Sequence, residues 1–303
     1  MHFLISLALI VAQQPAGTGN PRMNLEPLHR AIKSFDGVAG LAARNLLNGE
    51  EILINEDLRF PTASVIKTAV MVEAYHQAAR GTLSLDTTIP LREGDKVGGS
   101  GVLNGFSDGV ALTVRDLIHL MIVVSDNTAT NLLVNRLGTN NVDERLVALG
   151  FEHTKLFRPT FRDGKADILP DLEKEFGLGM STPREMAKLM ALIAAGGAVN
   201  RDASAAMLST LLRQQDRATI PRLLPGNLQV GNKTGTDSEK IPDDRGRRGA
   251  IRVDAGIVTG EGVRYVIAVF TRRGADTRGG VDNAGIVLGA QLSRMVYEQF
   301  TRK

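Results

Sequence analysis

The sequence predicts an α+β fold: an antiparallel sheet flanked by helices, joined to an all-helical lobe. Two groups of strand signals predict the sheet. One is a hairpin pattern around Asn48-Gly49, and the other is a strand pair flanking Gly260-Glu261-Gly262. The third observation is that residues between about 61 and 219 read as helices with long loops. Uniting the two ends of the chain in one helix-faced sheet is the simplest packing. The α/β lobe then comes from about 22–60 and 220–303, and the helical lobe from about 61–219. A cleft between two such lobes is a natural place for a site.

Each element has a local cause. Leu25 to Phe35 carries helical apolar spacing, and Val38 to Leu46 and Glu51 to Asn55 are the arms of the first hairpin. Pro61 to Arg80 begins a buried helix. Thr113 stands three residues before Asp116, at capping-box spacing, ahead of the apolar series Leu117, Leu120, Met121 and Val124. Thr182-Pro183-Arg184-Glu185 orders a cap, a first-turn proline and a returning glutamate, and Gly196-Gly197 ends that helix. Val253 to Val258 and Val263 to Thr271 form the late strand pair, and Val281 to Phe300 reads as an amphipathic helix. There are no internal repeats.

Composition narrows the function classes. The chain has 303 residues, 43% hydrophobic and 23% charged, which suits one large or two intimately packed domains. Net charge is +3, from 36 basic and 33 acidic residues. The basic cluster Arg245, Arg247 and Arg248 follows Asp243 and Asp244 and reads as a solvated loop, so no nucleic-acid partner is expected. With no cysteine, a thiol nucleophile, disulfides, thiolate metal sites and a lipid-modified cysteine are excluded. The five histidines lack metal-ligand spacing, so no metal and no other cofactor is expected. His119, on an apolar helix, is most simply a packed core residue.

Phe3 to Ala12 (FLISLALIVA) is an apolar run too short to span a bilayer, followed by the polar stretch Gln13 to Pro21. Residues 1–20 are expected to be a signal peptide and linker, which makes the protein exported, periplasmic or secreted. No later segment is apolar enough to span a membrane.

Three short segments carry chemistry. In Ser64-Val65-Ile66-Lys67 a helix puts the amine of Lys67 on the face of the Ser64 hydroxyl, one turn away. Serine needs such a neighbour to take its proton. Alone the pattern is far more often an exposed helix pair, but Val65, Ile66, Ala69, Val70, Met71 and Val72 make this helix buried. A buried lysine needs a partner or a depressed pKa. In Ser125-Asp126-Asn127 the hydroxyl and amide can face a cleft while the carboxylate ties down the turn. The hydroxyl could pass a proton to a leaving nitrogen, and the amide could bind a substrate carbonyl and the Lys67 ammonium, with a plain turn or cap as the bland reading. In Lys233-Thr234-Gly235-Thr236 the lysine and threonine offer charge and hydroxyl to a carboxylate. Gly235 leaves the backbone open to a ligand, and the Thr236 amide can donate to an acyl oxygen. A turn between strands is the bland alternative.

Together, S-x-x-K, S-D-N and K-T-G in this order are the motif set of penicillin-recognising serine hydrolases. The chain resembles the class A β-lactamases, with a β-lactamase/transpeptidase-like fold, from about residue 22 to the C-terminus. Further matching stretches are Leu112–Gly138, Gly99–Leu103 (GSGVL), Ser181–Leu189 (STPREMAKL) and Asp254–Val258 (DAGIV). The resemblance implies that Ser64 attacks the carbonyl, with Lys67 as base or proton relay. Ser125 then protonates the leaving nitrogen, and Asn127 orients the substrate. Lys233 and Thr234 hold the substrate carboxylate, and the amides of Ser64 and Thr236 stabilise the oxyanion. It also implies a small-molecule substrate, a β-lactam or peptidoglycan-like compound, and a monomer.

One departure matters. Class A enzymes carry a water-activating glutamate in an Ω loop, in a Glu-x-x-Leu-Asn context that this chain lacks. Matching His153-Thr154-Lys155-Leu156 and Arg158 to the loop entry places Thr160 at that position. Asp163, Asp167, Asp171, Glu173 and Glu175 follow as candidates for the role, and Arg245, Arg247, Arg248 and Arg252 as candidates for a carboxylate-binding arginine. The leading expectation is a β-lactamase. A penicillin-binding-type peptidase or ester hydrolase that releases lactams slowly, and a silent sensor of cell-wall fragments or β-lactams, are the alternatives. The absence of a Gly-x-Ser-x-Gly elbow argues against an α/β-hydrolase.

Overall fold

The computed structural model describes residues 23–302. The expected signal peptide lies outside the described residues. The chain opens with α1 (Glu26–Lys33), β1 (Val38–Asn45), β2 (Glu51–Ile54) and the short β3 (Phe60–Pro61). A 3-10 turn, Ala63–Ile66, leads directly into α2 (Lys67–Ala79). The middle holds β4 (Thr88–Pro90), β5 (Ala111–Thr113), α3 (Val114–Val123), α4 (Asn127–Leu137), α5 (Thr139–Ala148) and β6 (Lys155–Leu156). Next come α6 (Pro170–Phe176), β7 (Gly179–Ser181), α7 (Pro183–Ala195) and α8 (Arg201–Leu211). The end supplies β8 (Gln229–Ser238), β9 (Ala250–Gly260), β10 (Val263–Gly274) and α9 (Ala284–Phe300).

The main sheet is antiparallel, in the order β2-β1-β10-β9-β8. Both of its faces are covered, and β10 shows the consequence. Tyr265, Ile267 and Val269 pack in a core with Leu28 of α1 and Leu292 and Val296 of α9. Val266, Ala268 and Phe270 point the other way, into a core shared with α2, α3, α4 and α7. A strand buried on both faces reads as a continuous apolar run. α7 lies against β1, β9 and β10 and also against α8, so a helix from the middle of the chain bridges the sheet and the helices beyond it.

Capping chemistry sets several boundaries. The Thr113 hydroxyl accepts from Asp116 N at 3.1 Å while Thr113 N donates to the Asp116 carboxylate at 3.1 Å, starting α3. The Thr182 hydroxyl accepts from Glu185 N at 3.1 Å, and Gly196, at φ 82°, ends α7. Asn283 caps α9 through Gly285 N at 3.0 Å, so that helix starts later than its apolar pattern does. The expected single helix from Pro61 is divided. Pro61 pairs with Met180 in a strand, Ala63 turns left-handed at φ 42°, and the α-helix begins only at Lys67. Among the described residues no helix is long and apolar enough to cross a membrane, and no metal-binding group of His, Asp and Glu gathers.

Candidate active site

Ser64 sits where three segments meet. Strand β3 is held to β7, and Thr62 N donates to Gly179 O at 2.9 Å. The left-handed Ala63 then swings the chain into the 3-10 turn that carries Ser64. In the first turn backbone N–H groups lack an intrahelical acceptor and face whatever lies ahead of the helix. Val65 and Ile66 are fully buried and anchor the turn.

Lys67 is also fully buried. Its Nζ donates to Ser125 O at 2.8 Å and to Asn127 Oδ1 at 2.8 Å, and it lies 3.2 Å from Ser125 Oγ. The reach from Lys67 to Ser64 expected from helical spacing is not realised as a hydrogen bond: the amine turns to Ser125 and Asn127. An ammonium has three donors, and this turn supplies a carbonyl, an amide oxygen and a hydroxyl around one point. Ser64 offers a single hydroxyl. Catalytic hydrogen bonds in free enzymes commonly tighten only when substrate is bound.

The second motif is a left-handed corner, with Ser125 at φ 56°. Asp126 holds it there. Its carboxylate caps α4 through Ala129 N at 2.8 Å and accepts from Val102 N at 2.6 Å and Leu103 N at 2.9 Å. Asn127 donates to Gly98 O at 3.0 Å, and its backbone N donates to Ser100 O at 3.0 Å. The 98–103 loop is thereby fastened to the motif.

The third motif lies on β8, the edge strand. Lys233 Nζ donates to Thr234 O at 2.7 Å and to Ser125 Oγ at 3.1 Å. The Ser125 hydroxyl is therefore shared by two buried amines, which leaves its own hydrogen free for a third partner. A methyl on Gly235 would fall 2.7 Å from Thr62 O and 2.8 Å from Ser64 N, so glycine lets the strand lie against the serine turn. Ser64, Ser100, Ser125, Thr234, Gly235 and Thr236 border one open cavity, together with Gln214, Gln215 and Asp216.

Burial shapes the electrostatics. Desolvation, followed by the charge of Lys233, pushes the Lys67 amine well below the ordinary lysine range. Burial brings Lys233 down to about 8, opposed by the carboxylates of Asp254 and Asp216. Asp254, fully buried on β9 in register with Thr234, is pushed up to about 7 by burial, although Asn232 donates to it at 3.0 Å and Ile220 N at 3.0 Å.

Beside this cavity runs the loop from Phe157 to Leu178. Arg158 is buried at its neck, donating to Glu173 Oε1 at 2.6 Å, to Pro159 O at 3.0 Å and to Asp163. Thr160 is buried too. Its N and Oγ1 both donate to Asn131 Oδ1, at 2.7 and 2.9 Å, and Asn131 Nδ2 donates back to Thr160 O at 3.1 Å. Asp167 accepts from Thr139 at 2.5 Å, Asp171 pairs with Lys174 in solvent, and Glu175 faces Arg272. Glu173 is committed to Arg158. Of the five acids Asp163 is the one that borders a second cavity containing Ser64, with Gly99, Ser100, Asn127, Phe161 and Lys240 around it.

The four candidate arginines separate as well. Arg245, Arg247 and Arg248 lie in the β8–β9 connection, where Arg247 pairs with Asp243. Arg252 is in register with Thr236, and its guanidinium donates to Asp237 O at 3.1 Å and Arg278 O at 3.0 Å. Sequence reasoning did not bring Phe161, Asp216, Asp237 or Lys240 to the site. Asp237 follows the third motif on β8, whereas Phe161, Asp216 and Lys240 lie on loops that only the fold brings to the rim.

Residues 26–300 match the family model described as the β-lactamase enzyme family. The solved β-lactamase of Sphaerobacter thermophilus is 30% identical, with a TM-score of 0.79 over 92% of this chain and 98% of that one. PBP-A, whose leucine-to-glutamate variant was solved as an acyl-enzyme complex with penicillin G, is 27% identical in that form, with a TM-score of 0.75 over 93% of this chain and 99% of that one. The CARB-3 β-lactamase of Pseudomonas aeruginosa is 25% identical over 240 residues, 78% of this chain and 80% of that protein. A fold, a site and relatives of this kind have one reading in common: the chain belongs to the β-lactamase enzyme family.

Proposed function

We propose that the protein is a serine β-lactamase that opens the lactam amide through an acyl-enzyme on Ser64. One observation carries the reading: the buried amines of Lys67 and Lys233 converge on Ser125 Oγ, and Ser64 borders the same cavity. Neutral Lys67 takes the proton of Ser64 as its oxygen bonds the lactam carbon. The amides of Ser64 and Thr236 hold the oxyanion that forms. As the carbon–nitrogen bond breaks, Ser125 gives its proton to the leaving nitrogen and is reprotonated from Lys67. Asn127 orients the substrate, and Lys233 and Thr234 bind its carboxylate. Water then releases the acyl group, with Asp163 as the proton acceptor, and Ser64 recovers its proton. Export forms part of this proposal and rests on the Phe3–Ala12 run.

A second reading, a penicillin-binding-type peptidase or ester hydrolase that deacylates slowly, draws on Thr160. Its hydroxyl is occupied by Asn131, and it has no carboxylate to activate water. A chromogenic cephalosporin followed by colour and intact mass separates the two. Sustained turnover is the expected result. A stoichiometric burst with a stable adduct favours the second reading. Ser64→Ala should show neither, and surviving turnover or adduct would remove Ser64 as nucleophile.

A further inference from the structure

Phe161 is a bulky residue in a left-handed conformation, at φ 57°, and 60% of its surface is exposed. Both features are unfavourable for a phenylalanine with only a structural role, because the conformation is strained and the ring remains in water. Strained backbone recurs around Ser64: Ala63 at φ 42° borders the same cavity as Phe161, and Ser125 at φ 56° borders the adjoining one. Strain held at one place invites a functional explanation.

The ring's location supplies one. Phe161 borders the cavity that holds Ser64, together with Ala63, Gly99, Ser100 and Leu178. Its ring lies against Gly99, where a methyl would come within 2.9 Å of it and within 2.7 Å of Asn127 Nδ2. The 157–178 loop and the 98–103 loop thus meet at this ring, directly beside the amide of Asn127. Resting on the reading of Ser64 as an acylated nucleophile, we propose that Phe161 is a specificity-determining residue: its exposed face binds the acyl side chain of the substrate and selects flat, aromatic groups there. An aromatic substituent seated on the ring covers apolar surface that otherwise faces water and gains ring–ring contact.

The test compares benzylpenicillin with the penicillin that carries an acetyl group in place of phenylacetyl, so that nucleus and side-chain amide are shared. Wild-type protein should prefer the benzyl compound in kcat/KM, and Phe161→Ala should reduce that preference about tenfold. Phe161→Trp should retain it. Phe161→Gly should lose the preference and raise Tm, since glycine adopts this conformation without strain. An unchanged preference in Phe161→Ala, or an equal loss for both penicillins, would overturn the proposal, as would a fall in Tm in Phe161→Gly. These outcomes are distinct from failure of the underlying reading, in which the wild-type protein forms no Ser64 adduct with either compound by intact mass.

Discussion

Lys67 and Ser125 are joined twice: Lys67 Nζ lies 2.8 Å from the carbonyl oxygen of Ser125 and 3.2 Å from its hydroxyl. Lys233 reaches that same hydroxyl at 3.1 Å. Two amines on one oxygen, both buried, cannot both hold a proton cheaply. The geometry that would let Ser125 pass a proton in the proposed mechanism therefore also lowers the basicity of Lys67.

Removing the Lys233 charge should show this directly. Lys67 is depressed first by burial and then by Lys233, so Lys233→Met should raise its pKa. In the proposed mechanism acylation needs neutral Lys67, so its rate should climb as pH rises through that pKa. The rising limb of acylation against pH should therefore move to higher pH in Lys233→Met, alongside weaker substrate binding. Stopped-flow acylation rates across pH read the midpoint. A midpoint that stays put would mean that Lys67 is not the titrating base.

Deacylation tests Asp163. The carboxylate borders the Ser64 cavity and is held by the buried Arg158. Asp163→Asn keeps the shape and removes the proton acceptor. Deacylation should slow by about 10² or more, with acylation nearly unchanged, so the Ser64 adduct accumulates in intact-mass spectra. An adduct that clears at the wild-type rate would place the water-activating group elsewhere.

The loop around Asp163 depends on the pair below it. Arg158 and Glu173 are both buried, 2.6 Å apart. Removing the Glu173 charge takes away the buried carboxylate partner of Arg158 and leaves it the largely exposed Asp163, at a cost of up to about 3 kcal/mol. Glu173→Gln should lower Tm by several degrees and open residues 157–178 to proteolysis before the rest of the chain. Equal protease resistance in the two proteins would show that the loop is held by other contacts.

Asp254 gives a pH signature of its own. Its folded pKa, raised to about 7, lies above the ordinary 3.8. Between these values the folded chain keeps a proton that the unfolded chain has lost. The stability from this group is full below pH 3.8 and is lost as pH rises through 7. Asp254→Asn does not titrate. Its Tm should therefore gain on the wild type as pH goes from 4 to 7, by an amount reaching up to about 4 kcal/mol of stability. A Tm difference constant across that range would mean that Asp254 is charged throughout.

How legible this site was depends on the kind of residue. Ser64, Ser125 and Lys233 could be picked out because three short motifs, each ordinary alone, occur in order behind a buried Ser-x-x-Lys; Ser64 and Ser125 border one cavity, and Lys233 reaches the Ser125 hydroxyl. The sheet could be foreseen from Asn48-Gly49 and from the apolar run of β10, whose two faces meet two cores. The 3-10 start of α2 could not, because it depends on Ala63 adopting a left-handed conformation against a strand 170 residues away in sequence, roughly the distance to Gly235. The bond from the Lys67 ammonium to the Asn127 amide could be foreseen, but the turn of the amine from Ser64 to the Ser125 carbonyl could not, since spacing along a helix names neighbours and is silent about better acceptors on another segment. Asp163 and Phe161 are ordinary loop residues until Arg158 and Gly99 fix where they lie.

Gly235 provides the most stringent test of the oxyanion arrangement. A methyl there would lie 2.7 Å from Thr62 O, 2.7 Å from Val253 Cγ2 and 2.8 Å from Ser64 N. The valine can shift, but two of the three obstacles are backbone of the serine turn. Gly235→Ala must therefore move β8 away from that turn, widening the gap between the amides of Ser64 and Thr236. Overpacking of this kind costs about 1–3 kcal/mol, which a folded protein can bear. Losing one well-placed oxyanion donor costs about 10²–10³ in rate. Acylation by benzylpenicillin should fall by that factor, and a boronic acid that mimics the tetrahedral state should bind more weakly in proportion. Lys67 and Ser125 lie on other segments and stay in place, so a change in the pH midpoint of acylation would report a displacement of Lys233 along with β8. Wild-type acylation in a folded Gly235→Ala protein would show that the oxyanion is held by groups other than these two amides.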